Sequence, residues 1–493
     1  MLSRTTGELA RIIEDHGCPC RVVGRADVRV GPDVVIDTRR VGPGSLFVGL
    51  PGSHVDGSDL AADAASAGAA AALVGHVTDA GIPLLVVSDT QQGLTALATG
   101  LVAEQIARGM ITFAITGSSG KTSTKDLLAQ ILMAAGPTVS PLGNHNNEIG
   151  VPLTACAVDE STRFLVSEMG ARNVGHIANL CRIVPPIVST VLNVGTAHLG
   201  IFGSQDAIAL AKGEIVEALP ADGWAVLNAD DPRVDAMESR THARTARWSV
   251  SDGAAGSSPA PRAELAVTAD HISFDDLQRG SFSLHVHTEG EWSSETVHLG
   301  LIGAHQVRNA VAAATMALAA GLDLGTVAGA LSQATTRSPL RMELHETPGG
   351  AAVIDDCYNA NPESTLAAIR ALAAIGQSRR LRHPKARTIL VLGDMAELGP
   401  QAARLHTEVA AEAARSGITE VIGVGEFGAT VADAARAGGA LARRAERQDV
   451  PGLIELCPGD VVLVKASRVL HLEDVTAELL RRSTGAGEGR VPR

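Results

Sequence analysis

The chain has 493 residues, a length that accommodates about three domains, and 45% of its residues are hydrophobic. Only 2% are aromatic, so we expect cores built from Ala, Val and Leu. The formal net charge of −13 argues against a nucleic acid or an anionic membrane as the main partner, although one local pocket can still attract an anionic nucleotide. The longest apolar run, residues 310–320, is shorter than the roughly 20 residues that a membrane span needs, so we expect no membrane insertion.

The six cysteines are scattered, and only Cys18 and Cys20 lie close together. A C-P-C pair with no second pair is a weak zinc signal, so we expect reduced thiols, as in cytosolic proteins. The first 16 residues are charged and amphipathic and do not form a signal peptide. These features predict a cytoplasmic location.

Residues 1–108 are predicted to form a small α/β domain. The predicted elements are helices at residues 6–15 and 61–72, and strands at 34–37, 45–50 and 84–88. Arg39 stands at the end of the first of these strands, and its guanidinium group could bind a diphosphate through a bidentate fork. A solvated arginine pair in a loop is an equally good interpretation of the residues alone.

A phosphate-binding loop is predicted within I-T-F-A-I-T-G-S-S-G-K-T-S-T, residues 111–124. The β-branched and aromatic residues at its start predict a strand, and the apolar residues after Gly120 recur at helical spacing. The loop N–H groups and the helix N-terminus would point at one small volume, which favours an anion. Lys121 would reach the outer phosphates of a nucleotide, and Thr122 would offer its hydroxyl to Mg²⁺.

The spacing of this loop departs from the GxxxxGK[ST] pattern, because the residue five before Gly120 is Ile115. A turn of Gly and Ser followed by an ordinary helix is the alternative. The position of the Gly-Lys-Thr triplet, where strand becomes helix, favours a phosphate site.

More polar side chains follow the next predicted strands. The loop G-N-H-N-N-E-I-G at 143–150 suits recognition of a polar ligand, although a plain Asn-rich turn is the alternative. A strand at 164–168 ends in Glu168, and a strand at 187–192 leads towards His198. Ligands bind at the carboxyl edge of parallel sheets, so Glu168 is well placed to hold Mg²⁺ and His198 lies at the same edge. A structural histidine is the alternative there.

The central unit is predicted to span residues 109–335, with Lys212 on one of its helices. Residues 251–262 are of low complexity and are predicted to form a flexible surface loop. Residues 263–302 alternate apolar and polar side chains, which predicts antiparallel strands. An Ala-rich helix opened by residues 303–309 closes the unit.

A third α/β domain is predicted at residues 336–493, because strands and helices alternate as in a mostly parallel sheet. Its predicted strands lie at 353–354, 388–392, 421–424 and 461–464. From about residue 483 the chain is rich in Gly, Ser and Arg and is predicted to be a disordered tail. The predicted fold is therefore α/β with three domains: a small N-terminal α/β domain, a central P-loop mononucleotide-binding domain with a mostly parallel sheet, and a C-terminal Rossmann-like domain.

At this point the motifs of the whole chain resemble those of the Mur ligases, the ATP-dependent amide-forming enzymes of bacterial peptidoglycan precursor synthesis. The matching segments are D-T-R at 37–39, G-S-L-F-V at 44–48, T-G-S-S-G-K-T at 116–122, G-N-H-N-N-E-I-G-V-P at 143–152, S-E-M-G-A at 167–171, N-V-G-T-A-H-L at 193–199, A-K-G-E-I at 211–215, H-Q-V-R-N-A at 305–310, D-D-C-Y-N-A-N-P-E-S at 355–364 and G-D-M-A-E-L-G at 393–399.

The Y-N-A-N-P and G-D-M-A-E-L-G segments are similar to the family member that adds D-alanyl-D-alanine. Two departures are Gln306, where Asn is expected, and Ala466, where Gly is usual. The resemblance implies an ATP-dependent ligase that joins D-alanyl-D-alanine to the terminal carboxylate of UDP-N-acetylmuramoyl-tripeptide through an acyl phosphate, releasing ADP and phosphate. The third residue of the tripeptide can be lysine or diaminopimelate.

The resemblance also implies ATP and Mg²⁺ as cofactors. Lys121, His198 and Lys212 would be catalytic, and Thr122, Glu168 and His198 would hold the metal. In relatives the lysine matching Lys212 can carry a carbamate; an unmodified structural lysine is the alternative. The implied nucleotide-binding residues are Thr116, Gly117, Ser118, Ser119, Gly120, Lys121, Thr122, Ser123, Asn309, Arg341 and Asp356.

The implied substrate contacts are Thr38 and Arg39 for the UDP part, Asn146 and Asn147 for the muramoyl-peptide, and Tyr358, Asn359 and Asn361 for the dipeptide. The expected partners are therefore small-molecule substrates, with no nucleic acid, and the chain is expected to be a monomer. ATP would bind to the second domain, and residues of the third domain would complete its binding site. This arrangement implies a closing motion that excludes water.

Four alternatives remain beside this interpretation. Another Mur-type ligase would add a single amino acid such as diaminopimelate, but the D-N-P-R motif of that type is absent from the third domain. A folylpolyglutamate-synthase-like enzyme usually lacks the first domain. A GTPase-like switch would need an N-K-x-D motif, which the sequence does not contain, and an inactive scaffold would have lost Lys121 or the metal ligands.

Overall fold

The protein is described here by a computed structural model that covers residues 1–195, 202–250 and 264–485. Three α/β domains follow one another along the chain, each with its own main sheet, as the sequence predicts. The loop predicted at 251–262 lies outside the described residues, and so does the tail beyond residue 485. The domain boundaries at 108 and 335 stay a prediction.

The first domain contains a sheet in which the strand Arg21–Val23 is antiparallel to its neighbour and the remaining pairs are parallel. In spatial order the strands are Arg21–Val23, Leu84–Val86, Ala71–Val74, Leu46–Val48 and Val34–Val35. A separate antiparallel pair joins Arg4–Thr5 to Arg29–Val30. The helices of this domain are Thr6–Asp15, Ala61–Ser66 and Thr90–Ile106, with 3-10 turns at Thr38–Arg40 and Gly57–Leu60.

The helix predicted at residues 61–72 is wrong in its second half. It ends at Ser66, Gly68 turns the chain with a φ of 110°, and Ala71–Val74 forms a strand. All four residues of this strand are buried in the middle of the sheet. The high helix propensity of alanine is therefore overridden by the turn at Gly68 and by burial.

The central domain is built on a sheet whose inner strands are parallel and whose outer part is an antiparallel ribbon. In spatial order the strands are Glu291–Ile302, Arg279–Thr288, Leu265–Phe274, Arg244–Val250, Trp224–Asn228, Val188–Val191, Ile111–Thr116, Phe164–Glu168 and Thr138–Val139. The helices in the described part of this domain are Lys121–Ala135, Gly150–Ala155, His176–Ile183, Gln205–Glu217, Pro232–Asp235, His305–Ala319 and Leu324–Gln333, with a 3-10 turn at Ala236–Arg240. The antiparallel strands predicted between 263 and 302 are confirmed.

Two sequence patterns shape this domain. The parallel strands are continuous runs of buried residues, as expected for a sheet covered on both faces. In the ribbon strand Arg279–Thr288, buried Phe282, Leu284 and Val286 alternate with partly exposed Ser and His residues. The Ala-rich helix His305–Ala319 packs against Lys121–Ala135, because small side chains let the two helices approach closely.

The third domain has a sheet with the spatial order Glu343–Glu346, Ala352–Asp356, Val461–Lys465, Thr388–Leu392, Glu420–Gly423 and Leu441–Arg444. The first strand is antiparallel to its neighbour and the other pairs are parallel. The helices are Pro362–Arg382, Ala402–Arg415, Gly428–Ala437, Val450–Leu453 and Glu473–Gly485, with 3-10 turns at Gly399–Gln401, Arg447–Asp449 and Arg468–Leu470.

The tail predicted from residue 483 is wrong for its first three residues. The last helix continues to Gly485, because Val475 and Leu479, one helical turn apart, anchor one of its faces in the core of the third domain. None of the described helices combines the length and apolar character that crossing a bilayer requires.

A glycine inside the helix Pro362–Arg382 gives a test of this packing. A Cβ at Gly376 would lie 2.0 Å from Cγ2 of Thr388, which is fully buried in a strand. We expect Gly376→Ala to lower the free energy of unfolding by about 1–3 kcal/mol through overpacking, despite the better helix propensity of Ala. Thermal unfolding of the full chain measures the effect.

The matched control is Gly329→Ala in the helix Leu324–Gln333, where a Cβ would meet nothing within 4 Å. Propensity alone should raise the stability of this variant by about 0.5–1 kcal/mol. Equal midpoints for the two variants would contradict the described contact between Gly376 and Thr388.

Candidate functional site

A cavity of about 880 Å³ is lined by residues of the central and third domains. It contains most of the residues that the sequence predicts for the site, although they are far apart in the chain. The predicted residues that line it are Ser118, Ser119, Gly120, Lys121, Thr122, Ser123, Asn146, Asn147, Glu168, Lys212, Asn309, Arg341, Asp356, Tyr358, Asn359 and Asn361.

The predicted phosphate loop joins the strand Ile111–Thr116 to the helix Lys121–Ala135. Gly120 sits at the junction with a φ of 80°, and a Cβ there would lie 2.6 Å from Oδ1 of Asn309. Glycine is therefore required both by the backbone conformation and by the close approach of Asn309. The first hydrogen bond within the helix is donated by the Thr124 N–H to the Gly120 carbonyl, at 2.9 Å. The residues before Thr124 therefore have N–H groups without a partner inside the helix, and these residues line the cavity.

The loop N–H groups are predicted to point at a phosphate, but two of them are already bonded within the protein. The N–H groups of Ser118 and Ser119 both donate to Oδ1 of Asn193, each at 3.0 Å. Asn193 thus fastens the loop to the segment after the strand Val188–Val191, and the N–H groups at the helix start are left to face the cavity. The Lys121 ammonium donates to the Gly117 carbonyl at 2.7 Å. Thr116 and Gly117, also predicted to bind the nucleotide, do not line the cavity.

Glu168, predicted to be a metal ligand, is only 1% exposed at the end of its strand. Its carboxylate accepts hydrogen bonds from the Thr122 hydroxyl and from the Asn146 side-chain amide, both at 2.8 Å. The structure therefore brings together a predicted metal-binding pair, Thr122 and Glu168, and adds Asn146 to them. His198 lies outside the described residues.

Two lysines bring positive charge to the cavity. Burial lowers the pKa of Lys121, the Glu168 carboxylate partly offsets this, and Arg341 adds to the lowering. Burial also holds the pKa of Lys212 well below its ordinary value, and the charge of Lys121 lowers it further. Lys212 is 5% exposed, so its amine is much easier to deprotonate than that of a surface lysine.

The third domain contributes further charged side chains to the same cavity. The Arg341 guanidinium stacks over the Tyr358 ring, 4.3 Å from its centroid. Among the described residues, Nε of Arg341 is buried without a hydrogen-bond partner. Asp356 accepts a 2.6 Å hydrogen bond from the Lys465 ammonium, which also donates to the Asn359 carbonyl at 3.0 Å.

A direct contact joins the two domains at the cavity. The Tyr358 hydroxyl donates to Oδ1 of Asn144, in the asparagine-rich loop of the central domain. Burial raises the pKa of Tyr358, so the phenol stays protonated at neutral pH and can donate. Arg172 and Glu397 form a second, more exposed bridge at 3.8 Å.

Two of the predicted substrate contacts have local structural roles. The Asn361 side chain caps the helix Pro362–Arg382 by accepting from the Ser364 N–H at 2.8 Å. The Asn147 side chain accepts from the Gly150 N–H at 2.8 Å and closes a turn. Asn309 donates to the Gln306 side chain at 2.9 Å, so the amide at position 306 positions the predicted nucleotide contact.

Thr38 and Arg39 lie in the first domain and do not line this cavity. The Arg39 guanidinium pairs with Asp37 at 2.7 Å, and this hydrogen-bonded pair lowers the pKa of Asp37 to about 2. The next residue, Arg40, is close enough to His145 in the central domain to contribute to lowering its pKa, after burial.

The sequence interpretation missed several residues that line the cavity, among them Asn193, Asp230, Arg308 and Lys465. Asp230 accepts a 2.8 Å hydrogen bond from Arg308, which lies in the first turn of the helix His305–Ala319. Asn193, Asp230 and Lys465 all stand at or just after the end of a buried parallel strand. Polar residues at that position were the signal that could have found them.

Comparisons with known proteins agree along the chain. Residues 33–100 match the Mur ligase family, catalytic domain; residues 115–317 match the Mur ligase middle domain; residues 340–468 match the Mur ligase, glutamate ligase domain. The chain is 38% identical to the UDP-N-acetylmuramoyl-tripeptide–D-alanyl-D-alanine ligase of Mycobacterium tuberculosis (strain CDC 1551 / Oshkosh), over 98% of this chain and 99% of that protein.

Solved structures show the same similarity. The fold matches crystal structure I of MurF from Acinetobacter baumannii with a TM-score of 0.80 and 29% identity, covering 97% of this chain and 99% of that one. It also matches the MurF ligase from Thermotoga maritima in complex with ADP, with a TM-score of 0.70 and 26% identity over 92% of this chain and 98% of that one. Because the chain is 38% identical to the Mycobacterium tuberculosis ligase over nearly the full length of both proteins, it belongs to the Mur ligase family.

Proposed function

We propose that this chain is an ATP-dependent amide ligase that joins D-alanyl-D-alanine to the terminal carboxylate of UDP-N-acetylmuramoyl-tripeptide, releasing ADP and phosphate, in peptidoglycan precursor synthesis. The observation that carries the proposal is the shared cavity, in which the Gly120–Thr122 turn of one domain faces Arg341 and Tyr358 of the next. The relative with this activity that is 38% identical over the full length supports the choice of substrates.

The cavity fits a nucleotide triphosphate. The start of the helix Lys121–Ala135 presents its N–H groups to the cavity, and Lys121 and Arg341 add positive charge. The buried Nε of Arg341, which has no partner among the described residues, has a donor available for an anion. A similar structure was solved in complex with ADP, which supports a nucleotide in this fold.

The donor set also fits Mg²⁺. The Thr122 hydroxyl and the Glu168 carboxylate are 2.8 Å apart, and hydroxyl and carboxylate oxygens are the ligands that Mg²⁺ prefers. The hydrogen-bond partners of the Glu168 carboxylate, Thr122 and Asn146, are neutral, so a cation would compensate a buried negative charge. An ion held by Thr122 and Glu168 would supply positive charge to neutralise the phosphates. His198 is proposed as a further metal ligand from the resemblance alone.

A carboxylate is a poor electrophile at neutral pH, which explains the need for ATP. Transfer of the γ-phosphoryl group to the tripeptide carboxylate gives an acyl phosphate, and the free amine of D-alanyl-D-alanine then attacks its carbonyl carbon with loss of phosphate. The protein mainly positions the reactants and stabilises charge. Lys121 would leave the Gly117 carbonyl to bind the transferring phosphoryl group.

The remaining residues are proposed to place the two acyl-transfer partners. Asn146 and Asn147 would face the muramoyl-peptide, and Tyr358, Asn359 and Asn361 would lie near the dipeptide. Thr38 and Arg39 are proposed to hold the UDP part from the resemblance alone. We further propose a monomeric, cytoplasmic enzyme.

Contacts across the cavity support closure of the third domain over the nucleotide. The hydrogen bond from Tyr358 to Asn144 and the pair Arg172–Glu397 both cross between the central and third domains. Such closure would exclude water from an acyl phosphate, which water would otherwise hydrolyse.

Loss of the phosphate-loop lysine should abolish most of the activity. We expect Lys121→Ala to lower kcat by about two to three orders of magnitude or more, because a preorganised charge on the transferring group is lost. Phosphate release with both substrates present measures the effect, and circular dichroism checks the fold. The exposed lysine variant Lys385→Ala is the control and should keep the parent rate. Parent-like turnover in Lys121→Ala would remove the site assignment.

The acceptor should be a dipeptide. With ATP, Mg²⁺ and UDP-N-acetylmuramoyl-tripeptide, we expect phosphate release with D-alanyl-D-alanine to exceed that with D-alanine or diaminopimelate by roughly a hundredfold or more, because a single amino acid leaves polar groups of the site unpaired. Comparable rates with a single amino acid would favour another Mur-type ligase. Steady phosphate release without either substrate would count against the proposal altogether.

The low pKa of Lys212 predicts reaction with CO₂. Burial lowers the pKa of Lys212 and so favours the neutral amine, and a neutral amine can form a carbamate, which supplies a negative charge beside Lys121. We expect a ¹³C carbamate signal when the protein is equilibrated with labelled bicarbonate. Because acid protonates the amine and releases CO₂, the signal should fall as pH is lowered.

The Lys212→Ala variant should lack this signal and lose most activity, and the parent should lose activity in CO₂-depleted buffer and regain it on adding bicarbonate. Lys385→Ala serves again as the control. Full activity in CO₂-depleted buffer, together with no labelled signal, would leave Lys212 as an unmodified lysine.

A further inference from the structure

Away from the catalytic cavity, three metal-ligating side chains meet on the antiparallel ribbon of the central domain. Oδ1 of Asp270 lies 2.7 Å from Nδ1 of His271 and 2.7 Å from Nε2 of His285. One ligand atom from each residue lies within 4.8 Å of the others. Asp270 and His271 belong to the strand Leu265–Phe274, and His285 belongs to its neighbour Arg279–Thr288.

The backbone is irregular where these side chains meet. Successive residues of a strand normally point to opposite faces, so His271 would not be expected beside Asp270. The pairing of the two strands shifts between Asp270 and Ser273, and His271 adopts a φ of 47°, in the left-handed region. This bulge turns the His271 side chain back to Asp270, at the cost of a backbone conformation that non-glycine residues rarely adopt.

The cluster has the composition of a site for a transition metal. Two imidazole nitrogens and one carboxylate oxygen are ligands that suit Zn²⁺ and neighbouring divalent ions, whereas Mg²⁺ prefers oxygen ligands alone. Ligand atoms bound at about 2.0–2.2 Å in a tetrahedral site are about 3.3–3.6 Å apart, so each imidazole nitrogen must move away from Oδ1 of Asp270 by less than about 1 Å. His271 is exposed and the other two side chains are partly exposed, so an ion can enter from solvent.

We propose that Asp270, His271 and His285 form a binding site for a divalent transition-metal ion of the Zn²⁺ class, with water completing the coordination. The ion would join two neighbouring strands of the ribbon at its bulge. The turn just beyond the bulge touches the third domain, because Asp276 pairs with Arg382 at 2.9 Å and Leu277 packs in a core cluster of the third domain. A bound ion would therefore stiffen the part of the ribbon on which the third domain rests.

The test is Zn²⁺ binding by the full chain in excess Mg²⁺, followed by isothermal titration calorimetry. We expect one site in the parent that is lost in the double variant His271→Asn and His285→Gln, with a decrease in affinity beyond the roughly 10–100-fold that loss of an outer-shell partner costs. Asn tolerates the left-handed conformation, so the bulge should be kept. Zn²⁺ should also raise the midpoint of thermal unfolding in the parent and not in the double variant.

The matched control is His54→Asn, which removes an exposed histidine from a loop of the first domain and should bind Zn²⁺ like the parent. Zn²⁺ affinity and thermal shift that are unchanged in the double variant would overturn the proposal, and so would the absence of Zn²⁺ binding in the parent. Because binding is measured without substrates, the result does not depend on the ligase reaction.

Discussion

The turn at Gly120 is the constraint on which the site depends. A strand of the central sheet must reverse into the helix Lys121–Ala135 while the helix His305–Ala319 approaches so closely that Oδ1 of Asn309 leaves no room for a Cβ. Only a residue without a side chain can take a φ of 80° in that space at low cost. This turn aims the helix N-terminus at the cavity, and the positions of Lys121 and Thr122 follow from it.

The charges around the turn are arranged for a ligand that carries many negative charges. Lys121 and Arg341 converge on the cavity from separate parts of the chain, and burial makes the positive charge of Lys121 costly until an anion arrives. The Glu168 carboxylate, held by Thr122 and Asn146, is a fixed negative group among them.

Sequence reasoning predicted the parts of the fold that have strong periodicity. The strand at 388–392 and the antiparallel ribbon were found, because buried β-branched runs and alternation are local signals. The second half of the helix predicted at 61–72 was wrong, because alanine-rich segments carry little β signal and burial decided the outcome. Tertiary context cannot be read from a window of ten residues.

The candidate site shows the same limit. The phosphate loop, Glu168 and the asparagine-rich loop could be placed from residue types next to predicted strands. The hydrogen bond from the loop to Asn193 could not be predicted, because it depends on which two strands are neighbours in the sheet. The sequence could not show that Asn361 caps a helix, because an amide before Pro362 fits a ligand contact and a helix cap equally well. The placement of Asn146 on Glu168 likewise required the folded chain.

The low aromatic content has one useful consequence. The sequence contains a single tyrosine, and it is Tyr358, whose ring lies under Arg341 and whose hydroxyl reaches across to Asn144. Every tyrosine resonance in an NMR spectrum of this protein, and every tyrosine band in its ultraviolet difference spectrum, therefore originates at the seam between two domains. The tyrosine signals in ultraviolet and NMR spectra therefore report whether the central and third domains are in contact at Tyr358.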